Sequence, residues 1–418
     1  MKHVTTRAVP GAAQSAAASQ AFSYEAFFGE RLDDLRTRGN YRAFARLSRL
    51  PGAWPRALLH DDAGSREVTV WCSNDYLGMG QHRAVVEAMA ETALGQSAGS
   101  GGTRNISGTH RLHAALESEL ASLHRKDAAL LFTSGYVANL GALATLAAGI
   151  PGCVVLSDEK NHASMIAGFQ AARVEKRIFR HNDIAHLETL LQAIPAGRPK
   201  IIAFESVYSM DGTVGAVSAI SALAKKYGAL TYLDEVHAVG LYGPDGAGVA
   251  AAHGAEIDVI QGTLAKAFGV IGGYIAASAQ LIDYVRSFSR EFIFTSSLPP
   301  PVVAAALSAT RHVRGAEDLR RRHQDRVAST KRALTDAGIS FIDAPSHIVP
   351  VLVPGADRVK RVAKALLDDH AIYVQPINAP TVAVGAERLR LTPSPLHTDA
   401  MIAELVVALT DALKQGGA

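Results

Sequence analysis

Three residues that can do chemistry together follow two apolar runs in the middle of the chain. Asp234 and His237 follow the run Ala229–Leu233, and Lys266 follows the run Val259–Gln261. Such runs predict buried strands, and ligands bind at the carboxyl ends of strands in open α/β sheets. Small residues surround Lys266, so a flat group could approach its amine and partly desolvate it. A lysine that forms a Schiff base, together with an aspartate that faces a pyridinium nitrogen, is the arrangement expected for pyridoxal phosphate (PLP).

The same three side chains also fit a simpler interpretation. Polar residues are common at strand ends, so Asp234 and His237 could cap a helix and Lys266 could be a solvated loop amine. The PLP interpretation is favoured only if other turns at the same sheet edge supply groups for a phosphate and a flat ring.

Two such turns follow predicted strands earlier in the chain. Ser134, Gly135 and Tyr136 separate the run Ala128–Phe132 from an apolar helix, so free N–H groups at the helix N-terminus could hold a phosphate. An ordinary serine N-cap explains the same residues without a ligand. His162 begins the helix after the next apolar run and is suited to stacking on a flat ring.

The elements that must position these residues alternate along the chain. Strand, polar turn and helix follow one another as far as Gly273, which predicts a mostly parallel sheet covered by helices. Further on, Val302–Ala337 is a long helix-forming stretch, and we expect its cluster Arg320, Arg321 and Arg322 to cover a solvated helix face. We expect a mobile tail over residues 1–21, an N-terminal arm over 22–66, a large PLP-binding domain over 67–315 and a small C-terminal domain over 316–418.

Composition excludes several kinds of protein. The 418 residues include 42 basic and 39 acidic residues, which gives a net charge of +3. The chain has no long run of like charges, so its charge pattern does not indicate a nucleic-acid partner. Because no apolar run is long enough to span a bilayer, we expect no membrane partner. Two cysteines, Cys72 and Cys153, fit a reducing compartment and predict a cytoplasmic protein. An organelle transit peptide is an alternative interpretation of the Ala- and Ser-rich N-terminus.

Motifs from about residue 40 to the C-terminus resemble the 5-aminolevulinate synthase family, which belongs to the α-oxoamine synthases among the fold-type I PLP enzymes. The resemblance implies an α/β fold, with a large domain built on a mostly parallel seven-stranded sheet covered by helices and a smaller α+β C-terminal domain. It also implies a homodimer with shared active sites, PLP as cofactor and no metal. The motifs are VWCSNDYLGMGQH, GSGGTRNISGT, NHASMI, ESVYSMDG, LDEVHAVGLYG, GTLAKAFGVIGGYIA, FIFTSSLPP, SHIVPV, IYVQPIN and ERLRLTPSP.

The resemblance assigns a cofactor site residue by residue. Lys266 matches the lysine that holds PLP covalently, and Asp234 matches the aspartate that keeps the pyridine nitrogen protonated. His162 matches the stacking histidine, while Ser209 and His237 match groups near the phenolic oxygen. Lys266, Asp234, His162 and His237 form the expected catalytic set. The residues expected around the phosphate are Ser134, Gly135, Tyr136 and Thr263, with Thr295 and Ser296 reaching in from the partner subunit.

The resemblance also assigns substrate residues. Arg390 matches the arginine that holds the amino-acid carboxylate, and Thr103 matches a threonine associated with glycine selectivity, since its bulk would crowd any side chain. Arg42, Asn105 and Thr381 match positions that hold the succinyl carboxylate. Further candidates for contact with the acyl-CoA are Ser157, Asn74, Ile106 and Lys176.

The implied reaction is a decarboxylating condensation of glycine with succinyl-CoA, which gives 5-aminolevulinate, coenzyme A and carbon dioxide as the first step of haem synthesis. The alternatives are 2-amino-3-oxobutyrate CoA ligase, 8-amino-7-oxononanoate synthase and an aminolevulinate synthase of secondary metabolism. Leu112 stands where an aromatic residue is usual in the family. This departure leaves the catalytic set intact and bears only on fine substrate selection. The joint presence of Lys266, Asp234, His162 and Arg390 disfavours a catalytically silent protein, and a Rossmann-type enzyme would need a dinucleotide fingerprint that is absent.

Overall fold

The computed structural model describes residues 22–416, so the tail predicted over residues 1–21 lies outside the described residues. The chain divides into two units, Met1–Ala43 and Phe44–Ala418. The segment boundaries predicted after residues 66 and 315 stay predictions. Within the described range, no helix is long and apolar enough to cross a membrane.

The described part of the first unit contains the helix α1 (Tyr24–Thr37). Ser23 caps this helix, because its Oγ accepts a hydrogen bond from the N–H of Ala26 at 3.3 Å. Arg42 follows the helix in the same unit.

The second unit contains three β-sheets, of seven, four and three strands. Valine, isoleucine and other apolar residues dominate the strands of the largest sheet, as their β-propensity predicts. The strands are β1 (Arg46–Arg49), β2 (Arg56–Asp61), β3 (Gly64–Val70), β4 (Ala128–Phe132), β5 (Val154–Asp158), β6 (Glu175–Phe179), β7 (Lys200–Glu205), β8 (Leu230–Asp234), β9 (Val259–Thr263), β10 (Gly273–Ala277), β11 (Val349–Leu352), β12 (Ile372–Tyr373), β13 (Pro376–Ile377) and β14 (Arg388–Leu391).

Several helices of this unit begin at polar caps. The side chains of Ser134, Asp183, Ser278 and Thr398 each accept a hydrogen bond from the N–H three residues further on, which satisfies a donor that the helix leaves free. The helices are α2 (Arg83–Gly95), α3 (Arg111–Leu123), α4 (Gly135–Gly149), α5 (Ala163–Ala172), α6 (Ile184–Gln192), α7 (Val217–Tyr227), α8 (Val249–His253), α9 (Ala279–Phe288), α10 (Arg290–Ile293), α11 (Pro300–Gly315), α12 (Glu317–Asp336), α13 (Ala356–His370) and α14 (Asp399–Gln415).

The seven-stranded sheet has the strand order β4-β10-β9-β8-β7-β5-β6. Strands β5 to β9 run parallel to one another, and β10 runs antiparallel between β4 and β9. Every residue of β5, β7, β9 and β10 is buried, as in strands that are covered on both faces. The predicted α/β fold with a mostly parallel sheet is confirmed.

Helices cover both faces of this sheet because neighbouring residues of a strand point to opposite faces. Val155 of β5 belongs to a buried cluster with Leu143 of α4 and Met165 of α5. The preceding residue, Val154, belongs to the cluster of the opposite face, with Leu187 of α6. The two clusters fix the sheet, and thereby the ends of its strands, between two layers of helices.

The C-terminal part of the chain forms the three-stranded sheet β11-β14-β13. Strand β12, from the same part of the chain, instead pairs with β3 in the four-stranded sheet. The central strand β14 is wholly buried. It therefore holds Arg388 and Arg390 rigidly on one strand, two positions apart.

The helix-forming stretch predicted over Val302–Ala337 is helical and is divided into two helices. Helices α11 and α12 are separated at Ala316, whose ψ of 63° is not helical. The guanidinium of Arg320 donates to the carbonyls of Val313 and Arg314 at the end of α11. Arg320 therefore caps a helix C-terminus and does not simply cover a solvated face.

Candidate active site

The predicted chemical groups meet where three neighbouring strands end. In the strand register, Glu205 of β7 pairs with Asp234 of β8, which pairs with Gln261 of β9. A cavity of about 120 Å³ lies at these ends. The predicted residues that line it are Gly135, Tyr136, His162, Asp234, His237, Thr263 and Lys266.

Lys266 lies in the tight loop between β9 and β10. The N–H of Gly269 donates to the carbonyl of Lys266 at 2.8 Å, and the N–H of Val270 donates to the carbonyl of Leu264 at 2.9 Å. Burial lowers the pKa of the Lys266 amine to about 8, although the charge of Asp234 opposes this effect. The loop therefore presents an amine with a substantial neutral fraction near pH 8, as a nucleophilic lysine requires.

Asp234 is held in place by two hydrogen bonds. Its Oδ1 accepts from the N–H of Val236 at 2.8 Å, and its Oδ2 accepts from Nδ2 of Asn139 at 2.7 Å. Hydrogen bonds to a carboxylate favour the ionised form. Asp234 is thus suited to face a positively charged ring nitrogen.

His162 precedes α5 and is fixed at both its backbone and its ring. Its N–H donates to Oε1 of Glu205 at 2.6 Å, and its Nδ1 lies 2.7 Å from Oγ of Ser164. Burial lowers the pKa of the imidazole, and burial followed by the charge of Asp234 raises the pKa of Glu205 well above its ordinary value. A ring and a buried acid that both favour their neutral forms therefore lie beside the Asp234 carboxylate.

His237 lies in the loop after β8 and is linked to Tyr76 and Arg390. Its Nδ1 is 2.7 Å from the Tyr76 hydroxyl, which accepts a hydrogen bond from Nη2 of Arg390 at 2.9 Å. Arg390 also donates from Nη1 to Oδ1 of Asn74 at 3.1 Å and from Nε to the carbonyl of Ser209 at 2.7 Å. A guanidinium has five N–H donors, so donors remain for the carboxylate of a ligand. Ser209 makes this contact through its backbone.

The N-terminus of α4 offers a cradle for an anion. Ser134 caps this helix, and the N–H groups of Gly135 and Tyr136 in its first turn have no acceptor within the helix. A Cβ on Gly135 would lie 3.3 Å from Nε2 of Gln261 and 3.4 Å from Oγ1 of Thr263, so the glycine lets the helix end pack directly on β9. Together with the amine, the carboxylate and the imidazoles of the cavity, these groups fit the phosphate, flat ring and aldehyde carbon of PLP.

Thr295 and Ser296 are not among the lining residues of this cavity in the described chain. Ser296 pairs with Thr103 through an antiparallel bridge, and Oγ of Ser297 donates to the carbonyl of Gly108 at 2.7 Å. The loop that contains Thr103 and Gly108 is therefore joined to the segment in which Thr295 and Ser296 were predicted to reach into the partner subunit. The exposed residues of this loop that were predicted to contact substrate are Asn105 and Ile106.

The other predicted substrate residues lie on separate elements. Ser157 is buried at the end of β5, where its Oγ accepts from Nδ2 of Asn161 at 2.9 Å. Lys176 is exposed on β6, the outermost strand, and Thr381 is exposed after β13. These three are not lining residues of the cavity, and Arg42 belongs to the first unit. Their assignments stay predictions.

Sequence reasoning missed part of the cavity wall, namely Asn139, Ser164, Glu205 and Val236. A signal for Asn139 was present, because it is the only amide in the apolar helix Gly135–Gly149 and lies one turn after Gly135. The contact of Tyr76 with His237 had no local signal, since 161 positions separate the two residues.

The chain matches known proteins over most of its length. Residues 66–409 match the family model Aminotransferase class I and II. The chain is 54% identical over 388 residues to the 5-aminolevulinate synthase of Bradyrhizobium diazoefficiens, covering 92% of this chain and 95% of that one. Identity to the 5-aminolevulinate synthase of Rhizobium meliloti is also 54% over 388 residues, covering 92% and 96%. A solved structure of SPT with a PLP internal aldimine is 30% identical with a TM-score of 0.87, covering 94% of this chain and 98% of that chain.

The fold and the cavity together define an enzyme of the fold-type I class of PLP-dependent proteins. More narrowly, the chain belongs to the 5-aminolevulinate synthase family of PLP-dependent acyltransferases. The predicted family, fold class, enzyme class and cofactor of the family are confirmed.

Proposed function

We propose that this chain condenses glycine with succinyl-CoA in the cavity around Lys266, with PLP as cofactor, and releases 5-aminolevulinate, coenzyme A and carbon dioxide. The observation that supports this function most directly is the meeting of the Lys266 amine, the Asp234 carboxylate and the imidazoles of His162 and His237 in one cavity. The identity of 54% to 5-aminolevulinate synthases supports the choice of reaction.

Each of these side chains has a role that its surroundings allow. PLP, when bound, supplies a conjugated ring that accepts the electron pair left on the glycine Cα. Asp234 would hold a proton on the ring nitrogen, and His162 would support the face of the ring. Nζ of Lys266 would bind the cofactor and, once released, take the Cα proton, because a pKa of about 8 leaves it partly neutral. His237 would donate a hydrogen bond to the phenolic oxygen.

Arg390 is the group best placed to hold the carboxylate of glycine. Its hydrogen bonds to Ser209, Asn74 and Tyr76 fix the plane of the guanidinium beside His237. A fixed guanidinium plane favours bidentate binding of a carboxylate.

We propose a homodimer with shared sites, as the family resemblance implies; within the chain, Thr103 pairs with Ser296. If Ser296 and Thr295 contact the phosphate of the partner subunit, then Thr103 and Asn105 enter the same partner site, because the bridge joins the two segments. Glycine selection by Thr103 would then occur across the interface. Sedimentation of the loaded protein at twice the chain mass is the expected result.

The succinyl carboxylate needs a cationic partner, for which Arg42 is the candidate, assisted by Asn105 and Thr381. Ser157, Asn74, Ile106 and Lys176 stay candidates for other contacts with the acyl-CoA. A cytoplasmic location is proposed from the cysteine content.

The test is glycine-dependent release of coenzyme A thiol from purified, PLP-loaded protein, with succinyl-, acetyl-, butyryl- and glutaryl-CoA compared. We expect strong preference for succinyl-CoA, with 5-aminolevulinate as the product, and no release by Lys266→Ala. Preference for another acyl-CoA or another amino acid would overturn the proposed substrates. Equal activity of Lys266→Ala would overturn the site.

A further inference from the structure

Asn139 is a buried residue of the cavity wall and joins two chemical groups of the cavity. It lies on α4, is 1% exposed, and its Nδ2 donates to Oδ2 of Asp234 at 2.7 Å and to Oγ of Ser164 at 2.9 Å. Ser164 in turn contacts Nδ1 of His162 at 2.7 Å. One amide is thus bonded directly to the aspartate and through one hydroxyl to the histidine.

The orientation of this amide is fixed by Tyr232. The Tyr232 side chain is 0% exposed, and its hydroxyl donates to Oδ1 of Asn139 at 2.9 Å. A buried hydroxyl needs an acceptor, so Oδ1 must face Tyr232 and both hydrogens of Nδ2 must face Asp234 and Ser164. The hydrogen bonds therefore run in one direction, from Tyr232 through Asn139 and Ser164 to Nδ1 of His162.

We propose that Asn139 is a positioning residue that holds the Asp234 carboxylate and the His162 ring in a fixed relation to one another. This inference depends on the proposed function, since the two groups then face the nitrogen and the face of the same cofactor ring. Asn139 touches neither substrate nor cofactor in this proposal. Its effect is exerted through Asp234 and Ser164.

Loss of the Asn139 amide removes one of the two hydrogen bonds to Asp234 and leaves the bond from the Val236 N–H. Without this donor the carboxylate is held by one hydrogen bond only, and the link through Ser164 to His162 is lost as well. PLP should therefore bind more weakly and in a less fixed orientation.

The experiment measures PLP affinity and the visible circular dichroism of bound PLP at pH 7.5 for the wild type and for Asn139→Leu, which keeps the side-chain size. We expect at least about tenfold weaker binding, with a smaller dichroic band per bound PLP. Ser164→Ala keeps the bond to Asp234 and breaks only the link to His162, so its losses should be smaller. Thr310→Val is the control, because the buried Thr310 hydroxyl donates to the carbonyl of Ala306 within α11 and Thr310 is not a lining residue of the cavity. Asn139→Ala is measured in parallel, and the melting temperature of each apoprotein shows which variants fold.

Unchanged affinity and an unchanged dichroic band in the folded Asn139 variants would overturn the inference. Equal losses in Thr310→Val would also overturn it, since the effect would then be a general result of losing a buried hydrogen bond. The proposed function fails in a different way, namely if the wild type shows no PLP absorbance that depends on Lys266.

Discussion

The hydroxyl of Tyr76 and the imidazole of His237 are joined by a hydrogen bond of 2.7 Å to Nδ1. Because the guanidinium of Arg390 can only donate, the Tyr76 oxygen accepts from it. The single hydrogen of the hydroxyl has two neighbouring acceptors, and Nδ1 of His237 at 2.7 Å is favoured over Oδ1 of Asn74 at 3.3 Å by its shorter distance. Burial, assisted by the charges of Lys266 and Arg390, lowers the pKa of His237 well below its usual value. His237 is therefore neutral and carries its hydrogen on Nε2, ready to donate to an anionic oxygen.

Tyr76→Phe should weaken the reaction without unfolding the protein. The change removes the acceptor for Arg390 and the donor for His237, and hydrogen bonds to charged groups contribute about 1.5–3 kcal/mol. We expect kcat/KM for glycine to fall by roughly tenfold to a hundredfold. Tyr373→Phe is the matched control, because its hydroxyl donates to Gln375 at 2.9 Å and not to His237 or Arg390. Equal kcat/KM in the two variants would contradict the role of Tyr76.

Asp234→Asn should lower turnover at least about a hundredfold, the general scale for loss of a preorganised electrostatic partner. The amide keeps the size of the side chain but not the charge that would hold a proton on the ring nitrogen. Turnover is measured with saturating PLP, so that weaker cofactor binding does not account for the loss. Asp62→Asn, at an exposed ion pair with Arg46, serves as the control. Near-normal turnover of Asp234→Asn would exclude this aspartate as the electrostatic partner.

The sheet and the positions of its strand ends could be predicted because each strand is short, apolar and followed by a polar turn. The runs before Asp234 and Lys266 became β8 and β9, which are neighbours in the sheet, so two side chains about thirty positions apart entered one cavity. Parallel strands align their carboxyl ends, and this rule needs no knowledge of distant contacts.

The rest of the site depends on contacts between distant parts of the chain, which local patterns do not encode. Tyr76 meets His237, and Asn139 meets Asp234, through the packing of whole elements. The break at Ala316 is a second example. Arg320 of α12 caps the C-terminus of α11 only because the helical backbone is interrupted at Ala316.

Gly269→Ala, in the Lys266 loop, should lower the free energy of unfolding by more than a glycine-to-alanine change at a positive φ generally does. Gly269 has a φ of +67°, and a Cβ there would lie 2.1 Å from the backbone nitrogen of Gly80. Gly254→Ala is the matched control, because Gly254 has a φ of +61° and nothing within 4 Å of the added atom. The control should lose about 1 kcal/mol in free energy of unfolding and keep its activity.

For Gly269→Ala we expect a further loss of about 1–3 kcal/mol from overpacking. Turnover should also fall, because the N–H of Gly269 holds the carbonyl of Lys266 at 2.8 Å. Urea unfolding and coenzyme A release are measured on both variants. Identical results for the two would show that the contact with Gly80 does not hold the loop.

Arg42→Leu should remove the preference for succinyl-CoA over butyryl-CoA, because these acyl chains differ in the terminal carboxylate. We expect kcat/KM for succinyl-CoA to fall at least about tenfold, the lower end for loss of a charged hydrogen bond, with little change for butyryl-CoA. Arg38→Leu is the control, since Arg38 is paired with Asp34 at 2.7 Å on the same unit. If the ratio of kcat/KM for succinyl-CoA to that for butyryl-CoA were unchanged, Arg42 would not be the residue that binds the terminal carboxylate.

His323 should make the stability of the protein depend on pH below neutrality. It is 0% exposed, and burial lowers its pKa to about 4, compared with about 6.5 in an unfolded chain. The unfolded state therefore binds the proton first as pH falls, so the stabilisation is complete above pH 6.5 and is lost progressively toward pH 4. At pH 5 the loss amounts to about 2 kcal/mol for this group.

His323→Gln removes the titration, so its free energy of unfolding should fall by about 2 kcal/mol less than that of the wild type between pH 7 and pH 5. Urea unfolding at both pH values measures the difference. The buried imidazoles of His124 and His397, with pKa values lowered to about 3 and about 4, stay in the variant and preserve part of the pH dependence. His253→Gln, at an exposed position, should behave as the wild type. Parallel pH dependence in His323→Gln and the wild type would mean that His323 is not buried as a neutral ring.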